Sequence, residues 1–250
     1  IITSGGDVAL RDAGAIILGA ATVTGTYAVT AGGAVTNSGT QEITGITTIS
    51  ASGYNVTLDE TTNNFAAAVK ITGAVVTVVD ENAINLGAST VTGTYHVTAT
   101  AGDITNTGAL IITGASTFIV GTTTSNIVLD HASNAFSNSV TMKAGTSGNQ
   151  AFGNIGFVDN AAVVIQTSAD TNANGELLID GSTDGVVGGT LSIKANGDIT
   201  QNIDLAVAGT TTLEAGSNAI TLNRPDNNFS TVIITSGGDV ALRDAGAIIL

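Results

Sequence analysis

The chain has 250 residues, of which 32 are glycine, one is proline and none is cysteine, and only 10% are charged. Its net charge is −14 and its six basic residues stand singly, which excludes the basic stripes of a nucleic-acid-binding protein and disfavours an anionic membrane surface. Threonine, serine, asparagine and alanine take the place of charged residues, and this bias predicts an all-β chain.

Short segments in which apolar residues alternate with other residues recur along the whole chain. In chain order they include Val8/Leu10, Val56/Leu58, Val76/Val78, Ile127/Leu129 and Ile220/Leu222. A period of two is typical of strands that bury one face, and the Gly-Gly, Asn-Ser-Gly and Asn-Thr-Gly segments between them are typical of corners. We find no run of ~20 consecutive apolar residues and therefore expect no membrane insertion.

The sequence repeats on two scales. Residues 1–18, IITSGGDVALRDAGAIIL, recur without change as residues 233–250, an offset of 232 residues. Within this long repeat, LGAATVTGTY at Leu18–Tyr27 matches LGASTVTGTY at Leu86–Tyr95, an offset of 68 residues. A third landmark, Asn-x-Phe, ends at Phe65, Phe136 and Phe229, so that the units are separated by 71 and 93 residues.

This pattern predicts a right-handed single-stranded parallel β-helix, or β-solenoid, that is continuous over residues 1–250. A β-sandwich needs hairpin turns and would not produce units that differ by about one coil, whereas a solenoid can add a coil without disturbing its neighbours. We expect three units, at roughly 1–68, 69–140 and 141–232, with the extra coil in the third. At ~23 residues per coil, each 232-residue repeat holds about ten coils and rises roughly 50 Å.

Several segments resemble the strand-repeat arrays of filamentous-haemagglutinin-like adhesins and giant bacterial surface proteins. They are VALRDAGAIILG, VTAGGAVTNSG, ITGITTISASGYNVTLDETTNNF and VAGTTTLEAGSNAITLNRPDNNF. The resemblance covers nearly the whole chain and is weakest between Lys143 and Gly189. It implies export to the cell surface or the extracellular medium, a long parallel β-helical fibre, and a role in attachment or in an extracellular matrix.

The sequence offers little for catalysis. It has no cysteine, and its two histidines, His96 and His131, belong to no recurring group of polar residues. Hydrolases and lyases built on β-helices need converging carboxylates with a basic residue or calcium. Here the acidic residues are dispersed, so we expect no enzymatic activity and read both histidines as surface residues.

The segment DTNANGELLID, Asp170–Asp180, opens like a calcium-binding loop. Asp-x-Asn-x-Asn-Gly places oxygen ligands at alternate positions before a sharp turn, which makes Asp170, Asn172, Asn174, Glu176 and Asp180 candidate calcium ligands. Position twelve is Gly181, however, where a bidentate glutamate belongs. A polar turn between two strands is the alternative reading, and the one that we prefer.

The recurring Asn-x-Phe motif predicts a corner at which Asn63, Asn134 or Asn227 bonds to the backbone while the phenylalanine fills the core. Together these features predict a structural repeat module of a secreted or cell-surface bacterial fibre whose partners are adjacent repeats, head to tail. A self-assembling sheath or matrix filament is the alternative. A glycan-binding solenoid would need exposed aromatics, and of Tyr27, Tyr54 and Tyr95 the first and last occupy equivalent positions and are expected to pack.

Overall fold

A computed structural model describes residues 1–122, 124–145, 151–166, 175–181, 183 and 185–250 of the chain. Within these residues the secondary structure consists of short strands, and no helix is present. The described part of the chain accordingly holds no helix that is long and apolar enough to cross a membrane.

The strands run from one end of the described chain to the other. The first ten are β1 (Ile2–Ser4), β2 (Val8–Asp12), β3 (Ile16–Leu18), β4 (Ala21–Val23), β5 (Tyr27–Ala31), β6 (Val35–Asn37), β7 (Gln41–Ile43), β8 (Thr47–Ser50), β9 (Val56–Leu58) and β10 (Asn64–Phe65). The next eleven are β11 (Val69–Gly73), β12 (Val76–Asp80), β13 (Ile84–Leu86), β14 (Ser89–Val91), β15 (Tyr95–Ala99), β16 (Ile104–Asn106), β17 (Leu110–Ile112), β18 (Ser116–Val120), β19 (Ile127–Leu129), β20 (Ala135–Phe136) and β21 (Val140–Ala144). The last ten are β22 (Ile155–Asp159), β23 (Val163–Gln166), β24 (Glu176–Asp180), β25 (Val186–Val187), β26 (Leu191–Ala195), β27 (Ile199–Gln201), β28 (Ala206–Glu214), β29 (Ile220–Leu222), β30 (Asn228–Ser236) and β31 (Val240–Leu242).

These strands form three parallel sheets with four, fifteen and twelve strands. Through β21 each turn of the chain contributes three strands in succession, and the third always joins the twelve-stranded sheet, which begins β3-β6-β9-β12-β15-β18-β21. Up to β21, pairing partners in this sheet lie 19 to 24 residues apart, as in Val76 with Tyr95 and Ser116 with Val140. The chain makes about eleven turns, which confirms the predicted parallel β-solenoid.

The core is a stack of inward side chains that the strand alternation places one above another. In the twelve-stranded sheet, for example, Val78, Val97, Phe118 and Met142 pair in register and are all fully buried. Because inward and outward positions alternate, a slip of one residue would turn every apolar side chain of a strand outward. The register of each coil is therefore fixed by the coil beneath it.

Aromatic side chains continue this stack through the middle of the rod. The rings of Tyr95 and Phe118 meet edge to face with centroids 5.8 Å apart, and Phe118 meets Phe136 in the same way at 6.3 Å. Phe136 then stacks on Phe157 at 5.4 Å. Four aromatic residues from successive coils thus form a continuous column.

The third unit departs from the expected extra coil. Strand β24 follows β23 in the chain, yet it lies between β21 and β23, pairing Leu177 with Val140 on one side and with Ile165 on the other. The next turn then resumes above β23, where Val163 pairs with Ile199. The additional residues of this unit therefore insert one strand into one sheet, out of chain order, instead of adding a coil on top of the stack.

Candidate functional site

The corner at the asparagine of each Asn-x-Phe motif is built around that fully buried side chain. The Oδ1 atom of Asn63 accepts hydrogen bonds from the backbone N–H of Gln41 and from Asn37 Nδ2, both at 2.9 Å. Its Nδ2 donates to the carbonyl of Leu58 at 3.2 Å. Gln41 belongs to the preceding coil, so one side chain joins two coils at a point where the backbone ladder is interrupted.

The same geometry recurs in the other two units. In the second unit, Asn134 accepts from Leu110 N at 3.0 Å and from Asn106 Nδ2 at 2.8 Å, and donates to Leu129 O at 3.1 Å. In the third, Asn227 accepts from Leu205 N at 2.9 Å and from Gln201 Nε2 at 2.7 Å, and donates to Leu222 O at 3.1 Å. These contacts confirm the predicted combination of a bonded corner and a phenylalanine in the core.

An aspartate from the following coil completes each corner. The backbone N–H of Phe65 donates to Asp80 Oδ2 at 2.8 Å, and Asp80 is fully buried. The equivalent bonds join Phe136 N to Asp159 Oδ1 at 3.0 Å and Phe229 N to Asp244 Oδ1 at 2.9 Å. We call the set Asn63, Phe65 and Asp80, with its two counterparts, the corner bracket, because it links three successive coils.

A second type of aspartate stands at other corners and accepts a backbone N–H from the next coil. The carboxylate of Asp7 accepts from Thr26 N at 2.7 Å, and Asp103 and Asp198 accept in the same way from Asn126 N and Ala219 N at 2.8 Å. The sequence analysis missed both types of aspartate. The second type could have been found from the recurring Gly-Asp pair before a strand, and the first from an aspartate at or just after the end of a strand.

The pKa values of Asp80 and Asp159, of the first type, and of Asp7, of the second, are shifted in opposite directions. Burial raises the pKa of Asp80 to about 6, against which its hydrogen bonds from Phe65 and Asn82 act only in part. Burial also raises the pKa of Asp159. In contrast, the hydrogen bond from Thr26 lowers the pKa of the exposed Asp7.

His96, Tyr27 and Tyr95 lie on strands of the solenoid, where a structural role accounts for them. His96 is a half-buried outward residue of β15, where it pairs between Thr77 and Thr117, and burial lowers its pKa. Tyr27 and Tyr95 are 1% and 0% exposed, which confirms that they pack in the core.

The candidate calcium ligands are only partly visible. Asp170, Asn172 and Asn174 lie outside the described residues. Glu176 begins β24 and Asp180 ends it, so their Cα atoms are roughly 13 Å apart along one extended strand and the two carboxylates do not converge. Asp180 pairs instead with Lys143 Nζ at 2.8 Å.

Glu176 differs from Asp180 in its surroundings. It is 5% exposed, and its Oε2 has no hydrogen-bond partner among the described residues. Among those residues no three histidine, cysteine or acidic side chains cluster in a way that could hold a metal ion. A calcium site in this segment therefore stays a prediction from the sequence.

A cleft of about 440 Å³ lies at the corner of the third unit, beside an ion pair that the other units lack. Arg224 Nε donates to Asp204 Oδ1 at 2.9 Å. The equivalent pairs of positions hold Glu60 with Thr40 and His131 with Ala109. Since both partners in the third unit are more than a third exposed, the pair adds little to stability.

The corner bracket occurs once in each of three units of the solenoid, which defines the chain as a repeat protein. Comparison with known families agrees. A family described as repeats of unknown function (DUF5649) matches residues 5–72, 72–143 and 160–236. These matches cover most of the chain, which therefore belongs to this family. Searches of curated proteins and of solved structures found no match.

The corner bracket predicts a large effect for a small change. Asn63→Ala leaves the N–H of Gln41 and the carbonyl of Leu58 buried without partners, and we expect it to lower the free energy of unfolding by about 2–4 kcal/mol. Urea unfolding followed by circular dichroism measures this. The neighbouring half-buried Asn64→Ala serves as the control and should cost less than about 0.5 kcal/mol; equal losses in the two variants would contradict the bracket.

The raised pKa of Asp80 predicts a stability that increases on mild acidification. Its pKa is about 6 in the folded chain against an ordinary 3.8, so between these pH values the folded state binds a proton that the unfolded state does not. The free energy of unfolding should therefore rise by about 1–3 kcal/mol as the pH falls from 7.5 to 4.5. Thermal unfolding across this pH range measures the effect. The rise in the free energy of unfolding should be weaker in Asp80→Asn and unchanged in the exposed, charge-matched Asp59→Asn. An undiminished rise in Asp80→Asn would show that Asp80 is not the cause.

The segment Asp170–Asp180 yields a prediction for calorimetry. We expect no saturable heat on titrating the chain with calcium up to about 1 mM, the weak end of protein calcium sites, because position twelve is Gly181 and Asp180 is already paired. A saturable heat that disappears in Glu176→Gln would instead establish a calcium site that uses this buried carboxylate.

Proposed function

We propose that the chain is a structural repeat module of a secreted or cell-surface bacterial fibre, such as the stalk of an adhesin or a filament of a biofilm matrix. The observation that carries this proposal is the recurrence of residues 1–18 as residues 233–250 on one continuous parallel lattice. The end of one long repeat thus has the same strands as its beginning. A rod of this kind extends by repetition alone.

The mechanical basis of the proposal lies in the direction of the hydrogen bonds. Strand pairing runs along the rod axis, and the corner brackets add side-chain bonds in the same direction at Asn63, Asn134 and Asn227. Tension along the rod therefore loads many parallel bonds at once. The role we infer is to span a distance and bear load, with no catalytic step.

Charge supports a fibre that works in water and apart from its neighbours. Most acidic side chains stand in the turns between strands, as Asp7, Asp59 and Asp103 do, and the chain carries a net charge of −14. Repulsion between such rods opposes their aggregation. Export to the cell surface and attachment to a host or neighbouring cell are part of the proposal and rest on the resemblance to surface adhesin arrays.

Head-to-tail stacking of separate chains is the second candidate, and an apolar surface favours it. A cleft of about 440 Å³ is lined by Val232, Ile233, Ile234, Val240, Leu242 and Leu250. Their sequence counterparts Val8 and Leu10 pair with Tyr27 and Val29 of the next coil. In a continuous array, residues 19–37 of the next repeat would cover this surface in the same manner, whereas in a stack of separate chains the first coil of the next chain would lie on it.

Small-angle X-ray scattering and electron microscopy of tandem copies test the proposal. Each added 232 residues should lengthen a thin rod of constant cross-section by about 50 Å, from ten to eleven strand steps at ~4.8 Å each. Growth in cross-section, or a compact particle, would contradict it. For a single copy, a length that increases with concentration at constant cross-section would favour head-to-tail stacking of separate chains.

A further inference from the structure

Identical segments of this chain occupy different sides of the rod. Strand β2 (Val8–Asp12) lies in the fifteen-stranded sheet, whereas its sequence copy β31 (Val240–Leu242) lies in the twelve-stranded sheet. Strand β1 (Ile2–Ser4) lies in the four-stranded sheet, and its copy, residues 234–236 within β30, lies in the fifteen-stranded sheet. Both segments have moved by one sheet in the same direction around the rod.

The shorter repeat shows the same movement. Tyr27–Ala31 belongs to the fifteen-stranded sheet and its counterpart Tyr95–Ala99 to the twelve-stranded sheet. Ten strands, β4 to β13, separate the start of one unit from the start of the next. With three strands per turn, ten strands make three turns and one further side.

The corner bracket moves with its unit. Asn63 follows β9 of the twelve-stranded sheet, whereas Asn134 follows β19 of the fifteen-stranded sheet. Both make the same three bonds, so the bracket works at either corner of the rod. Nothing in the local contacts ties a unit to one side.

We propose that each 232-residue copy in a tandem array is turned by about one third of a revolution relative to the copy before it. The inference rests on the proposed fibre. Parallel pairing admits only whole strands, so the turn is one side of the rod and the array repeats after three copies. Any surface of the repeat, such as the cleft at Arg224, then faces the same direction once in every three copies, or about every 150 Å.

The consequence is an interaction surface distributed around the fibre. A flat partner, such as a cell surface or a neighbouring rod lying alongside, meets the same patch only on every third copy. Two further partners on the other sides meet the remaining copies. The array is therefore built to contact partners on all three sides, which favours a branched network over a flat ribbon.

Site-specific labelling of an array tests this directly, because the chain has no cysteine of its own. Four copies of residues 1–232, each carrying Tyr54→Cys at an exposed position, are coupled to maleimide-functionalised gold and imaged by cryo-electron microscopy. We expect successive labels on successive sides of the rod, with the first and fourth aligned. Four labels in one line on a well-formed rod would overturn the proposal.

A second array serves as a matched control. Each copy receives a duplicate of residues 18–85 before Leu86, where the natural match LGAATVTGTY and LGASTVTGTY provides a continuous junction. Ten added strands should turn each copy by a further side, so that the labels progress around the rod in the opposite sense. An unchanged sense would refute the inference while leaving the fibre intact, whereas the absence of a rod in both arrays would refute the proposed function itself.

Discussion

A buried asparagine side chain that bonds to two coils holds one corner in each of the three units, and the stacking of the coils there depends on it. Along a strand, the backbone ladder satisfies every N–H and C=O group without help. At a corner the ladder stops, and the freed groups need other partners because water does not reach them. Asn63 supplies one acceptor and one donor at that point, and it bridges the N–H of Gln41 and the carbonyl of Leu58. The lengths of the coils can then vary while the strands above and below remain in register.

The aspartates add further hydrogen bonds between coils, and they also determine how the stability of the solenoid depends on pH. Asp80 occupies a buried position where its charged form is unfavourable, while Asp7 gains from being charged because it accepts the N–H of Thr26. Asp80 therefore favours folding under mildly acidic conditions, whereas Asp7 stabilises the fold only while it is charged and so opposes strong acid. The chain thus combines a highly acidic surface with a few buried acids whose proton affinity is high. Most of its negative charge stays in the turns, away from the core.

Much of the fold could be predicted from the sequence because a solenoid repeats its rules locally. Alternation at Val8/Leu10 and Val76/Val78 marks the buried face, and the Asn-x-Phe motif marks a corner in each unit. Strand β24 could not be placed in this way. Its sequence, ELLID, has three consecutive apolar residues and does not show which strands it pairs with, and its position between β21 and β23 depends on pairing out of chain order. The aspartates were missed for a related reason: a single acid after a strand looks like a solvent-facing corner until the next coil covers it.

The corner bracket forms the same bonds on different sides of the rod, and this affects how genes for such repeats can change in length. Recombination between similar repeats adds or removes whole units, and in most folds the new neighbour would meet the wrong surface. Here a unit brings Asn63 or Asn134 with it and forms the same bonds on whichever side it arrives. Unequal crossing-over between the matching segments at Leu18–Tyr27 and Leu86–Tyr95 would yield a longer or shorter chain that still stacks. The length of such a repeat chain can therefore vary between lineages without any new interface having to evolve.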